Sequence, residues 1–140
     1  MKRIVTIGVM LLTLIGCGGR NSQKSSNSST ATDSAAAVKV YVFHAAQRCA
    51  TCRAIDAVVA EVMNNDFTDG VKSGNVALLD VDITKPENKS LVEKYEIYST
   101  SLLIDAGGTV TNLTNDAFQY ARSNPDKLKE ILRANISKTL

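Results

Sequence analysis

Two cysteines three residues apart, Cys49 and Cys52, close one hydrophobic run and open another. The run before them, Val38 to Ala45 (VKVYVFHA), is β-branched and aromatic and reads as a buried strand. Behind them Ile55, Val58, Val59, Val62 and Met63 recur at helical spacing, so one stripe faces a core while Asp56 and Glu61 face away. A strand that turns through Cys-x-x-Cys into a helix constrains both cysteines to the first helical turn. Positions i and i+3 on such a turn lie about 5–6 Å apart, inside the roughly 4.4–6.8 Å separation a disulfide accepts. The pair can therefore open and close with little backbone motion.

A helix start offers unpaired backbone N–H groups and the positive end of the macrodipole, both of which stabilise a thiolate. Arg48 and Arg53 flank the pair and add positive charge. Cys49 is expected to be the acidic, nucleophilic thiol, and Cys52, one turn inside, the one that resolves a mixed disulfide. His44, the only histidine, ends the strand five residues before Cys49. It reads as a packed strand residue or, more sharply, as a neighbour that tunes Cys49. Cys49, Cys52 and His44 make three candidate metal ligands, one short of a closed zinc site.

The remaining chain supplies a sheet and its cover. Asn75 to Ile83 (NVALLDVDI) reads as a strand hydrophobic enough to sit mid-sheet. Thr84, Pro86 and Glu87 punctuate a helix start as a capping box, with Leu91, Val92 and Tyr95 on its apolar face. Ser101–Asp105 and Thr109–Leu113 are strands joined through Gly107-Gly108 as a tight hairpin. A last helix places Leu128, Ile131, Leu132 and Ile136 on the core. The order is β, α, β, α, β, β, α. Asp80 and Asp82 read as strand-end structure, and Tyr95, Tyr98 and Tyr120 as packing residues.

The N-terminus is of another kind. Lys2 and Arg3 precede twelve mostly apolar residues, Ile4 to Ile15, too few for a comfortable membrane span of about 20 residues. The exit, LIGC at Leu14 to Cys17, resembles the lipobox of bacterial lipoproteins. That resemblance implies a signal peptide over residues 1–16, a lipidated Cys17 as mature N-terminus, and a place in the bacterial cell envelope facing the periplasm. Residues 17–37, rich in Ser, Asn, Gly and Ala, read as a flexible tether spanning about 25 Å. In an exported chain the remaining cysteines meet an oxidising compartment. From Val38 onward 12 Lys and Arg face 13 Asp and Glu, which leaves no basic footprint for nucleic acid.

The element order, with Cys-x-x-Cys at the first strand-to-helix junction, resembles the thioredoxin superfamily over about Val38 to Leu140. VYVFHAAQRCATC with DITKPENKSLVEKYEIYSTSLL is similar to a group of bacterial and archaeal thioredoxin-like proteins. The resemblance implies an α/β fold, a central mixed sheet of about four strands with helices on both faces. It also implies thiol:disulfide exchange with protein thiols or disulfides and an unknown redox partner, using the sulfurs and no cofactor. Thr100 and Ser101 fall in the loop that faces substrate.

The chain departs from the family pattern at several places. Arg48 stands where an aromatic precedes the first cysteine, and Ala50-Thr51 where Gly-Pro separates the pair. Phe43 replaces the buried acid. Ser101 stands where a cis-proline covers the disulfide and helps keep metals off the thiols. These departures leave two other readings beside a membrane-tethered oxidoreductase: a non-catalytic module capturing a soft metal ion or partner protein through the same cysteines, and a permanent disulfide staple.

Overall fold

The computed structural model describes residues 35–140. The expected signal peptide, the lipidation site Cys17 and the tether up to residue 34 lie outside the described residues. Four strands form one mixed sheet: Val38–His44 (β1), Val76–Asp82 (β2), Ser101–Ala106 (β3) and Thr109–Asn112 (β4), in the spatial order β2-β1-β3-β4. β1 runs parallel to β2 and antiparallel to β3, and β3 is antiparallel to β4. A central strand must be apolar on both faces, and every residue of β1 except Lys39 is buried.

Five helices cover this sheet: Ala50–Asn65 (α1), Thr68–Ser73 (α2), Lys89–Lys94 (α3), Thr114–Tyr120 (α4) and Pro125–Ser137 (α5). The pleat sends Val38, Val40 and Val42 to one side, where they meet Ile55, Val59 and Val62 of α1 and Leu128, Leu132 and Ile136 of α5. Tyr41 and Phe43 point to the other side, with Leu79, Val81, Ile97 and Leu103, and α3 lays Leu91 and Val92 against them. Both expected faces are thus covered by helices. None of the described helices is long and apolar enough to cross a membrane.

Several details differ from the sequence reading. β2 lies at the sheet edge rather than mid-sheet. Its alternate residues Leu78 and Asp80 are exposed, as suits a strand on the border of the sheet. The Thr84–Glu87 capping box does not form. Instead Asp82 Oδ1 accepts from both the backbone N–H and the hydroxyl of Thr84, at 2.9 and 2.7 Å, which holds the Asp82 carboxyl below its usual range. Pro86–Asn88 then forms a 3-10 turn before α3. Tyr98, expected to pack, is 89% exposed. α2 and α4 were unexpected, since their buried contacts come from Phe67 at the start of α2 and from Ala117 in α4, too small a stripe to mark helical periodicity.

The hairpin forms as the sequence requires. Ala106 pairs with Thr109, and Gly107 and Gly108 bridge them at φ 58° and 94°, the left-handed conformation that a two-residue turn needs at both positions. Just before the turn the buried Asp105 accepts from the Gly108 N–H at 2.8 Å and from the Tyr95 hydroxyl. Burial, then the hydrogen bond to Asp105, push the Tyr95 phenol well above its usual range. The folded state thus holds the Tyr95 proton that an unfolded chain releases near pH 10. This contribution is complete below about pH 10 and is lost as pH rises further. Urea titrations should show wild-type stability falling above about pH 10. Tyr95→Phe should flatten that slope and cost about 1–3 kcal/mol at neutral pH by orphaning a lone pair of Asp105.

Candidate active site

α1 begins at the C-terminal end of the central strand, after the short connection Ala45–Cys49, and Cys49 is its N-cap residue. Cys49 has extended backbone, φ −68° and ψ 169°, so its side chain folds over the first turn and Sγ accepts from the Cys52 N–H at 3.1 Å. A sulfur stands where Ser or Asp commonly caps, and the same N–H would stabilise a thiolate there. Cys49 and Cys52 are joined as a disulfide with a Cα separation of 5.1 Å, the closure expected from their helical spacing. Cys49 is exposed and Cys52 is 6% exposed. One sulfur is open to solvent and the other is enclosed at the first turn of the helix.

Thr100 faces the buried sulfur, with Oγ1 3.6 Å from Cys52 Sγ. The hydroxyl is the donor while the disulfide is closed, since that sulfur then carries no proton. Ser101 is the first residue of β3, and its hydroxyl donates to the Ser99 carbonyl at 3.1 Å. The peptide bonds among the described residues are all trans, so the loop that carries Ser101 is trans where the family pattern has cis-proline. Phe43 fills the position of the buried acid and is fully enclosed, in aromatic contact with Tyr41 and Tyr95.

The two arginines have different surroundings. Arg48 Nη1 donates to Asp56 on α1, and Nη2 donates to both carboxylate oxygens of Asp80 on β2, at 2.9 and 2.7 Å. Its charge is answered by two carboxylates. Arg53 donates through Nη1 to the Arg48 carbonyl at 2.7 Å and makes no ion pair among the described residues. It lies one turn above Cys49, which makes it the less compensated of the two flanking charges. His44 is 8% exposed, with Nδ1 2.9 Å from the Ala45 carbonyl oxygen and Nε2 3.0 Å from Asp80 Oδ1. Both ring nitrogens are therefore turned to acceptors and away from duty as metal ligands. No three His, Cys, Asp or Glu side chains among the described residues gather as a metal site.

The structure thus brings Cys49, Cys52 and Thr100 together and places His44, Arg48 and Arg53 around the connection that carries Cys49. Cys17 lies outside the described residues. Sequence reasoning missed Asp56 and Asp80. Asp56 was assigned to solvent, and Asp80 to strand-end structure. The missed signal is the alternation in ALLDVDI, which puts Leu78 and Asp80 on one face and so marks an edge with a carboxylate near the end of β1.

No protein-family model matches the chain, and no curated protein matches it. Among solved structures the chain is similar to Trxlp from Edwardsiella tarda, at 11% identity over 71% of this chain and 84% of that one, with a TM-score of 0.50. Thioredoxin O2 from Arabidopsis thaliana in its oxidized state matches at 22% identity over 71% and 75%, with a TM-score of 0.49. The oxidised thioredoxin from Plasmodium falciparum matches at 20% over 71% and 84%, with a TM-score of 0.48. At such identities the likeness concerns fold alone. The mixed sheet, the disulfide at the start of α1 and the likeness to the Edwardsiella protein make the fold thioredoxin-like.

Proposed function

We propose that the chain is a thiol:disulfide oxidoreductase of the bacterial cell envelope, tethered to the membrane through a lipidated Cys17. One observation carries the chemistry: a disulfide whose exposed member caps a helix and whose buried member lies one turn inside. The tether rests on the likeness of LIGC to a lipobox.

In the reducing direction the Cys49 thiolate attacks one sulfur of a partner disulfide. A Cys49–partner bond forms, the partner S–S bond breaks, and the displaced sulfur leaves as a thiolate that takes a proton from solvent. Cys52 gives its proton to solvent, attacks Cys49 Sγ and closes the intramolecular disulfide, releasing the partner's second thiolate, which takes up a proton in turn. Two electrons have passed to the partner, and a dithiol reductant must restore the pair. Read backwards, the same steps oxidise a dithiol.

The Cys52 N–H stabilises charge on Cys49 in the attacking state, and Thr100 can donate to Cys52 as that sulfur gains charge. Soft-metal capture finds less support, because His44 is engaged by Ala45 and Asp80.

The assay is insulin reduction under limiting dithiothreitol, with the redox state of the pair followed in glutathione buffers. Acceleration of insulin reduction, with reversible opening of Cys49–Cys52, is expected. A disulfide that resists mild reductant and leaves insulin untouched would show a staple instead.

A further inference from the structure

Asp80 stands where the exchange chemistry does not ask for a carboxylate. It sits on edge strand β2, more than half exposed, and contributes nothing to either core. Yet His44 and Arg48, the two side chains that bracket the connection bearing Cys49, both converge on it. His44 Nε2 reaches Asp80 Oδ1 at 3.0 Å, and Arg48 Nη2 reaches its two oxygens at 2.9 and 2.7 Å. His44 ends β1 and Arg48 immediately precedes the helix cap, so one carboxylate fastens the entrance and the exit of the same loop.

A lone exposed ion pair stabilises little, but here two basic side chains share one carboxylate. The electrostatic consequence is more specific. Cys49 caps α1, where the helix start favours a thiolate, and Arg48 and Arg53 flank it along the chain. Asp80 and Asp56 are the carboxylates set against Arg48, and His44 is the other titratable group at this loop.

We propose that Asp80 is a positioning residue for Cys49: it pins Arg48 and His44 to the edge strand and, by balancing the Arg48 charge, keeps the Cys49 thiol less acidic than its surroundings would otherwise make it. This rests on the exchange reading above and deepens it. A thiol that is too acidic is a poorer nucleophile, because nucleophilicity falls with basicity, and its disulfide is more readily reduced. Asp80 thereby moderates the oxidising strength of the pair.

The test titrates thiolate ultraviolet absorbance against pH on the full chain carrying Cys17→Ser and Cys52→Ala, so that Cys49 alone reports. Asp80→Asn should lower the Cys49 midpoint by about half a pH unit, roughly a threefold gain in thiolate below it. Asp80→Glu should restore the wild-type midpoint, and Arg48→Met should move it upward. With Cys52 restored, Asp80→Asn should shift the glutathione equilibrium about threefold toward the dithiol. An unmoved or raised midpoint in folded Asp80→Asn overturns the proposal, as does a purely structural outcome, with stability lost and acidity unchanged. Should that variant fail to fold, Asp80→Ser gives the same comparison on this exposed edge. A shifted midpoint with insulin untouched removes only the enzymatic reading, whereas active insulin reduction with an unmoved midpoint removes only this one.

Discussion

Cys49→Ser is expected to lower insulin reduction on the order of a thousandfold or more, to the uncatalysed background, because a serine hydroxyl at the helix cap is not ionised near neutral pH and cannot attack sulfur. Cys52→Ser should fail differently. Its exposed Cys49 still attacks, but nothing beneath it resolves the adduct, so a mixed disulfide accumulates at one partner per chain. Non-reducing mass spectrometry with a disulfide-bearing peptide separates the two. The asymmetry follows from the burial of one sulfur and the exposure of the other. Equal trapping by both single variants would mean that the sulfurs are equally accessible, and the assigned roles would be wrong.

The largest stability effect is expected from Phe43→Ala. Phe43 is fully enclosed on the side of the sheet that α3 covers, 5.6 Å centroid to centroid from Tyr41 and 6.0 Å from Tyr95. Removing its ring forfeits burial and leaves a cavity among neighbours fixed by the sheet, a loss of about 3–5 kcal/mol. Against a typical total of about 5–15 kcal/mol, that is a large share. Urea denaturation should show a midpoint shift with little change in slope, and a loss below about 1 kcal/mol would mean that this face is loosely packed. Phe43 also bears on function. Where the family pattern has a buried acid, this chain has an aromatic anchor packed on Tyr41 and Tyr95.

What could be read in advance divides along physical lines. The valine and isoleucine stripe of α1 and the apolar run of β1 are long and regular, so burial dictates their period, and both appear as expected. The hairpin was legible because Gly107-Gly108 allows the positive φ that few other pairs adopt. β2 was misplaced because LLDVDI is apolar enough to suggest a covered strand, and only its pairing partners reveal that it lies on the border. The capping box failed for a local reason: Asp82, two residues before Thr84, offers a better acceptor than Glu87 can match from downstream. At the site, the cysteines were visible from spacing alone. The compensation of Arg48 was not, since Asp56 lies 8 positions away and Asp80 lies 32, and only the folded register brings them to one guanidinium.

The sheet divides the interior unequally. Eighteen buried residues are gathered on the side of α1, α4 and α5, and six on the side of α3, among the described residues. The cysteine pair is rooted in the heavy half, while Thr100 enters from the segment that follows α3 in the light half. Local opening is therefore expected to come more easily on the α3 side of the sheet than around α1, which carries the cysteines.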